Sequence, residues 1–181
     1  MQKKSKHRQG SRRNFISLGS SALAAPLILP SASRGANANE KLNIAFIGMG
    51  GQIQGHVRNL THMGHQAVAF CDVDSRQISA SRKRHGEVGA KARVYEDYRK
   101  LFEQESTLDA VVVATPDHWH LPVCKAAFAA GKHIYCEKPL THSVAEAREL
   151  RELTRRSKLV TQTGNQGSAS NNLRRKIGRA H

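Results

Sequence analysis

Residues 42–55, LNIAFIGMGGQIQG, decide how this chain folds. A short apolar run, Ile44-Ala45-Phe46-Ile47, feeds into glycines at 48, 50 and 51, and the pattern predicts a helix opening at Gln52. Strand, tight turn and helix start together form an anion seat. The first N–H groups of a helix lack intrahelical acceptors, and the helix dipole places positive charge at the same end. Gly48 would allow the turn, and Gly50 would let the backbone approach a diphosphate with no Cβ in between. Gly48, Met49, Gly50, Gln52 and Ile53 are the candidate contacts. The run departs from G-x-G-x-x-G in holding Ile53 at the third position, with glycines displaced to 51 and 55.

Working outward, Gln66–Cys71 (QAVAFC) reads as a second buried strand, and Asp72 follows it 24 residues past Gly48. A carboxylate at roughly 20 residues is the one that meets the ribose 2′-hydroxyl of NAD. Asp72 favours NAD, because a carboxylate repels the 2′-phosphate of NADP. Arg76 keeps NADP open.

The remaining elements alternate. A helix over residues 52–63 ends at Gly64, and Ser75 is expected to cap a helix reaching residue 85. Residues 91–95 read as a short strand and Tyr98–Gln104 as a short helix. Residues 109–114 (DAVVVA) make a buried strand, after which Thr115-Pro116 is expected to open a helix with a capping hydroxyl and a first-turn proline. Then come a strand at His133–Cys136, a helix over 143–157 with an apolar stripe (Val144, Ala147, Leu150, Leu153), and a strand over 159–163. Such alternation predicts an α/β fold, a doubly wound parallel-sheet Rossmann domain over residues 39–166.

The chain is strongly basic, with 29 Lys and Arg against 14 Asp and Glu and a formal charge of +15. Seven of the basic residues and none of the acidic ones precede Asn39, and the rest scatter along helical faces. Aromatic residues are 5% of the chain and supply no base-stacking pattern, so a nucleic-acid partner is not expected. Cys71, Cys124 and Cys136 show neither metal-ligand nor redox spacing. Cys71 and Cys136 end apolar strands, where a thiol acts as a small hydrophobe. His118 and His120 lie about 200° apart around a helix and do not share a face, so no metal site is predicted.

Residues 1–38 read as a leader. A basic region leads into a mildly apolar run over residues 15–29, and Ala36-Asn37-Ala38 suits a signal peptidase. Ser17, Gly19, Ser20, Ser21 and Pro26 dilute the run too far for a membrane span. Ser11-Arg12-Arg13-Asn14-Phe15-Ile16 resembles a twin-arginine export signal, with Ser17 where lysine is common. It implies export in the folded state by the twin-arginine machinery to a periplasmic or extracytoplasmic site. That route suits a protein that must take up its nucleotide in the cytoplasm.

Thr115-Pro116-Asp117-His118-Trp119-His120 fits T-P-x-x-x-H. Ala129-Ala130-Gly131-Lys132-His133 leads into Glu137-Lys138-Pro139, and Glu146-Ala147 follows. With the glycine turn, this ordered series resembles the nucleotide domain of the Gfo/Idh/MocA family (glucose–fructose oxidoreductase, inositol dehydrogenase) over residues 41–166. The resemblance implies an NAD(P)-dependent oxidoreductase acting on a sugar, cyclitol or related hydroxyl compound. It implies that Glu137-Lys138-Pro139 sits by the nicotinamide with Lys138 as the catalytic residue. Thr115, Pro116, His120, Glu137 and Asn165 would line the cofactor cleft. His118, Trp119 and Gln166 are further candidates there. Family members carry a second, α+β domain that supplies an open-faced sheet, most substrate contacts and usually a catalytic histidine with a nearby aspartate, and a homo-oligomer is an expectation for the full-length protein. Residues 167–181, with a helix at 172–177, read as the start of a linker toward such a domain. Whether this chain turns over alone is left open. The alternatives are an NAD-dependent glycosidase of the same family and a non-catalytic nucleotide-binding remnant.

Overall fold

The computed structural model describes residues 41–166. The leader and the helix expected at 172–177 lie outside the described residues. The elements run β1 (Asn43–Ile47), α1 (Ile53–His62), β2 (Gln66–Cys71), α2 (Ser75–Arg84), α3 (Gly86–Lys91), β3 (Arg93–Tyr95) and α4 (Tyr98–Gln104). They continue with β4 (Ala110–Val113), a 3-10 turn (Asp117–Trp119), α5 (His120–Ala129), β5 (His133–Cys136), α6 (Val144–Arg156) and β6 (Thr161–Thr163). The strands form one sheet in the order β3-β2-β1-β4-β5-β6. Every pairing is parallel. This is the doubly wound Rossmann arrangement, and its order reverses between β1 and β4, where such sheets open a crevice.

Four consecutive residues of β1 are buried because helices cover both faces of the sheet. Ala45 and Ile47 join a cluster with Leu101 of α4, Val123 and Ala127 of α5, and Leu150 of α6. Ile44 and Phe46 face the other way, onto Ile53 and Val57 of α1 and Ile78 of α2. Phe46 and Phe70 meet edge to face with centroids 6.0 Å apart. Ile53, the residue that breaks the glycine pattern, is fully buried here. A branched side chain fills the space between helix and sheet that a glycine would leave for closer approach.

Several boundaries differ from expectation. Residue 91 lies in a helix, α3, rather than a strand, and β3 starts at Arg93. Gly86 adopts φ +52° and opens the element. A Cβ at Gly89 would clash with the Arg82 backbone carbonyl. Arg82 holds the end of α3 by donating to the Gly89 and Ala90 carbonyls. Asp74, not Ser75, caps α2, accepting from the Arg76 N–H. In α6 the stripe is narrower than its spacing implies: Leu150 is buried, whereas Val144 is 69% exposed in the first turn. Ser143 caps that helix through the Glu146 N–H. β6 begins at Thr161, two residues later than the apolar run suggests.

Candidate functional site

Strand register sets the site. Tyr95, Cys71, Ile47, Val113, Cys136 and Thr163 align in one row across all six strands. The next residue of each strand therefore stands at the carboxyl edge: Glu96, Asp72, Gly48, Ala114, Glu137 and Gly164. The ladder continues into these residues. Gly48 donates to Cys71 O (2.8 Å), Ala114 to Ile47 O (2.8 Å), Glu137 to Val113 O (2.9 Å) and Gly164 to Cys136 O (2.7 Å). The sequence-predicted candidates Gly48, Asp72 and Glu137 thus share one edge.

Gly48 has φ +88°, and a Cβ there would lie 2.6 Å from the Ala114 carbonyl. A side chain is excluded by the backbone of β4, independently of any ligand. Gly50 has open space where a Cβ would stand. Met49 does not face the cleft: its side chain is in the core. Its N–H donates to Asp72 Oδ2 at 2.6 Å, so that amide is committed within the protein. The Ile53 side chain is also turned inward, leaving only its backbone to serve. Among the described residues, the N–H groups of Gly50, Gly51, Gln52 and Ile53 meet no acceptor.

The Asp72 carboxylate is held from two sides, since Oδ1 accepts the Asp74 N–H at 2.9 Å. Arg76 does not approach it; the guanidinium pairs with Asp74 at 2.9 Å. Beside Asp72 a cleft of about 330 Å³ runs between the ends of β1, β2 and β4, walled by Val73, Tyr98, Pro116, His118 and Trp119. Tyr98 and Trp119 stand edge to face, 6.3 Å between centroids. Thr115 also lines this cleft. Its hydroxyl does not cap a helix: Oγ1 is buried and, among the described residues, without a partner. Pro116 stays extended (φ −56°, ψ 147°), and a 3-10 turn intervenes before α5. Burial, with Asp72 and Asp97 nearby, pushes the Cys71 thiol up to about 12, so it stays protonated under the cleft floor.

At the other end, Glu137 is buried. His56 Nε2 of α1 donates to Glu137 Oε1 at 2.5 Å. The Gln166 amide donates to the same oxygen. Gly164 leaves the room this requires, as a Cβ there would lie 2.9 Å from the Glu137 carboxyl carbon. Burial and the Glu137 charge together hold the Tyr135 phenol above its ordinary range. Lys138 is exposed beyond this buried carboxylate, and Asn165 is exposed near Gln166. His120 does not line the cleft. Its ring is buried, with Nδ1 2.8 Å from the Pro139 carbonyl and Nε2 2.9 Å from the Thr115 carbonyl. It braces the two edge loops against each other. Among the described residues no three His, Cys, Asp or Glu side chains gather as metal ligands.

Sequence reasoning missed His56, Gln54, Ser81 and Tyr98. Each acts through a contact between distant segments. The His56–Glu137 pair spans 81 positions. No local pattern carries that.

With this geometry in hand, comparison with known proteins gives the class. Residues 42–165 match the GFO_IDH_MocA oxidoreductase family, NAD-binding Rossmann fold. The chain belongs to that family. It is 32% identical over 127 residues to glycosyl hydrolase family 109 protein 2 of Shewanella sp. (strain ANA-3), covering 65% of this chain and 28% of the relative. It is 33% identical over 116 residues to inositol 2-dehydrogenase of Rubrobacter xylanophilus, covering 63% and 32%. Among solved structures, GenD2 from gentamicin A biosynthesis, in complex with NAD, superimposes with a TM-score of 0.68 at 27% identity. That match covers 78% of this chain and 40% of the other. The chain thus spans about a third of the length of the curated relatives it matches.

The residues present fit NAD. Unpartnered amides follow Gly48, open space stands over Gly50, and a fixed carboxylate ends β2 beside a cleft that Thr115 lines.

Proposed function

We propose that the chain is the nucleotide half of an exported NAD-dependent oxidoreductase that moves hydride between NAD and a hydroxyl of a sugar or cyclitol. The observation that carries this reading is the Asp72 carboxylate, fixed by the Met49 and Asp74 amides beside amides that lack acceptors. Asp72 would accept the adenosine ribose hydroxyls, and the amides of Gly50 to Ile53 would hold the diphosphate. The Tyr98–Trp119 cleft would take the adenine, and Thr115 would line the cofactor's path beside it. Bound NAD supplies a hydride acceptor.

Lys138 is the residue proposed to act on the substrate. Its exposed ammonium would donate to the reacting hydroxyl and stabilise the alkoxide charge that develops there. The buried His56–Glu137 pair would hold the backbone from which Lys138 projects. NAD is favoured over NADP because Asp74 already engages Arg76. The test is titration of the purified chain with NADH. Saturable binding supports the reading, and no binding overturns it.

The relatives called glycosyl hydrolase family 109 favour a second reading, a glycosidase that oxidises and re-reduces its substrate on bound NAD. Cleavage of an aryl glycoside with no net NADH would support it. NADH accumulating with a free polyol would exclude it.

Export rests on Arg12-Arg13 and the leader around them. Replacing both with lysine is expected to hold the protein in the cytoplasm, and undiminished export would refute that assignment.

A further inference from the structure

We propose that Gln54 is the positioning residue of the diphosphate seat, aiming the glycine turn's amides into the cleft before any ligand arrives. This rests on the dinucleotide reading above and names the device that prepares the site.

Gln54 is the second residue of α1. Its Nε2 lies 2.9 Å from the Met49 carbonyl oxygen, 2.9 Å from that of Gly50, and 2.7 Å from Ser81 Oγ. Ser81 is itself buried, and its hydroxyl donates to the same Met49 carbonyl at 3.3 Å. On the other side of the amide, Gln54 Oε1 accepts from His85 Nε2 at 2.8 Å. The two carbonyls, which can only accept, fix which way the amide faces: the nitrogen meets them, and the oxygen is left to accept from the His85 ring N–H.

Peptide planarity does the rest. In a trans peptide the C=O and N–H point in opposite directions. Drawing the Met49 carbonyl toward Gln54 sends the Gly50 N–H the other way, and drawing in the Gly50 carbonyl does the same for the Gly51 N–H. Neither N–H has an acceptor among the described residues. Two adjacent glycines would otherwise leave these peptide planes free to turn, since glycine populates both signs of φ readily. Gln54 removes that freedom, so a diphosphate meets donors already oriented.

The experiment compares Gln54→Met, close in length but without donors, with the unaltered chain. Dissociation constants are measured for NADH and ADP-ribose, which carry a diphosphate, and for adenosine, which does not. The variant is expected to lose about tenfold for NADH and ADP-ribose, and nothing for adenosine. Ser81→Ala, which leaves the Gln54 amide in place, is expected to show a smaller loss of the same selectivity, and it carries the test if Gln54→Met does not fold. Equal losses for all three ligands would make Gln54 a mere structural support and overturn the proposal. Unchanged affinities would overturn it too. Failure of the unaltered chain to bind any of the three would instead sink the dinucleotide reading, and this inference with it.

Discussion

The Asp72 carboxylate accepts the Met49 N–H at 2.6 Å, joining the end of β2 to the turn that follows β1. These residues are 23 positions apart, and the bond places the carboxylate across the mouth of the glycine turn. Its orientation is settled without a ligand. The site therefore asks little reordering of a dinucleotide, which is how a small set of polar contacts gives useful affinity.

Cofactor choice follows from the same carboxylate. A 2′-phosphate would approach Asp72 as a like charge, and the nearby cations are engaged: Arg76 by Asp74 and Arg99 by Asp97. NADPH is expected to bind about tenfold or more weakly than NADH in parallel fluorescence titrations. Equal affinities would show that one of these arginines changes partner.

All three thiols should be silent in the folded chain. Cys71, Cys124 and Cys136 are free and buried. Burial raises Cys71 to about 12, and the neighbouring Cys124 thiol together with burial raises Cys136 as well. A thiol reagent at pH 8 is expected to modify none of them natively and all of them in guanidinium. Fast labelling of one would place it outside the core.

Stability should fall on mild acidification. Burial and the neighbouring Arg84 and Arg58 charges hold the His85 imidazole below its ordinary value of 6.5. As pH drops below that value the unfolded chain takes up the proton first, so the contribution is present above it and lost beneath it. The melting temperature is expected to drop between pH 7 and pH 5, and less so in His85→Gln. Identical pH profiles for the two would remove His85 as the cause.

Position along α6 decides the cost of a charge. Leu150→Asp buries a carboxylate in the cluster beneath β1 and is expected to cost about 3 kcal/mol. Val144→Asp, at a site 69% exposed, is expected to leave the melting temperature nearly unchanged. Similar effects from both would contradict the placement of this helix.

Much of the fold was legible in the chain. Gln66–Cys71, Tyr98–Gln104 and His133–Cys136 stand at the bounds that pattern and breakers imply. Buried parallel strands are continuous apolar runs, and no tertiary contact overrides them. Helix α3 was hidden because glycine is a breaker by local propensity. Here Gly89 is required by the close approach of the Arg82 backbone, which no local rule contains. The site divides the same way. Gly48 and Asp72 follow strands at a readable spacing. Met49 and His120 were assigned to the cofactor, but Met49 turns its side chain into the core and its amide to Asp72, 23 positions on, and His120 braces two loops, one of them through Pro139, 19 positions on. The leader's export signal remains a reading of residues outside the described region.

The central claim is that this edge of the sheet holds a dinucleotide through Asp72. Calorimetric titration of the purified chain and of Asp72→Ala with NADH tests it most directly. The account predicts saturable binding at one site, weakened in the variant by about 2 kcal/mol, or roughly 30-fold, for loss of a charged hydrogen-bond acceptor. Absence of binding, or equal affinity in the two proteins, would contradict it.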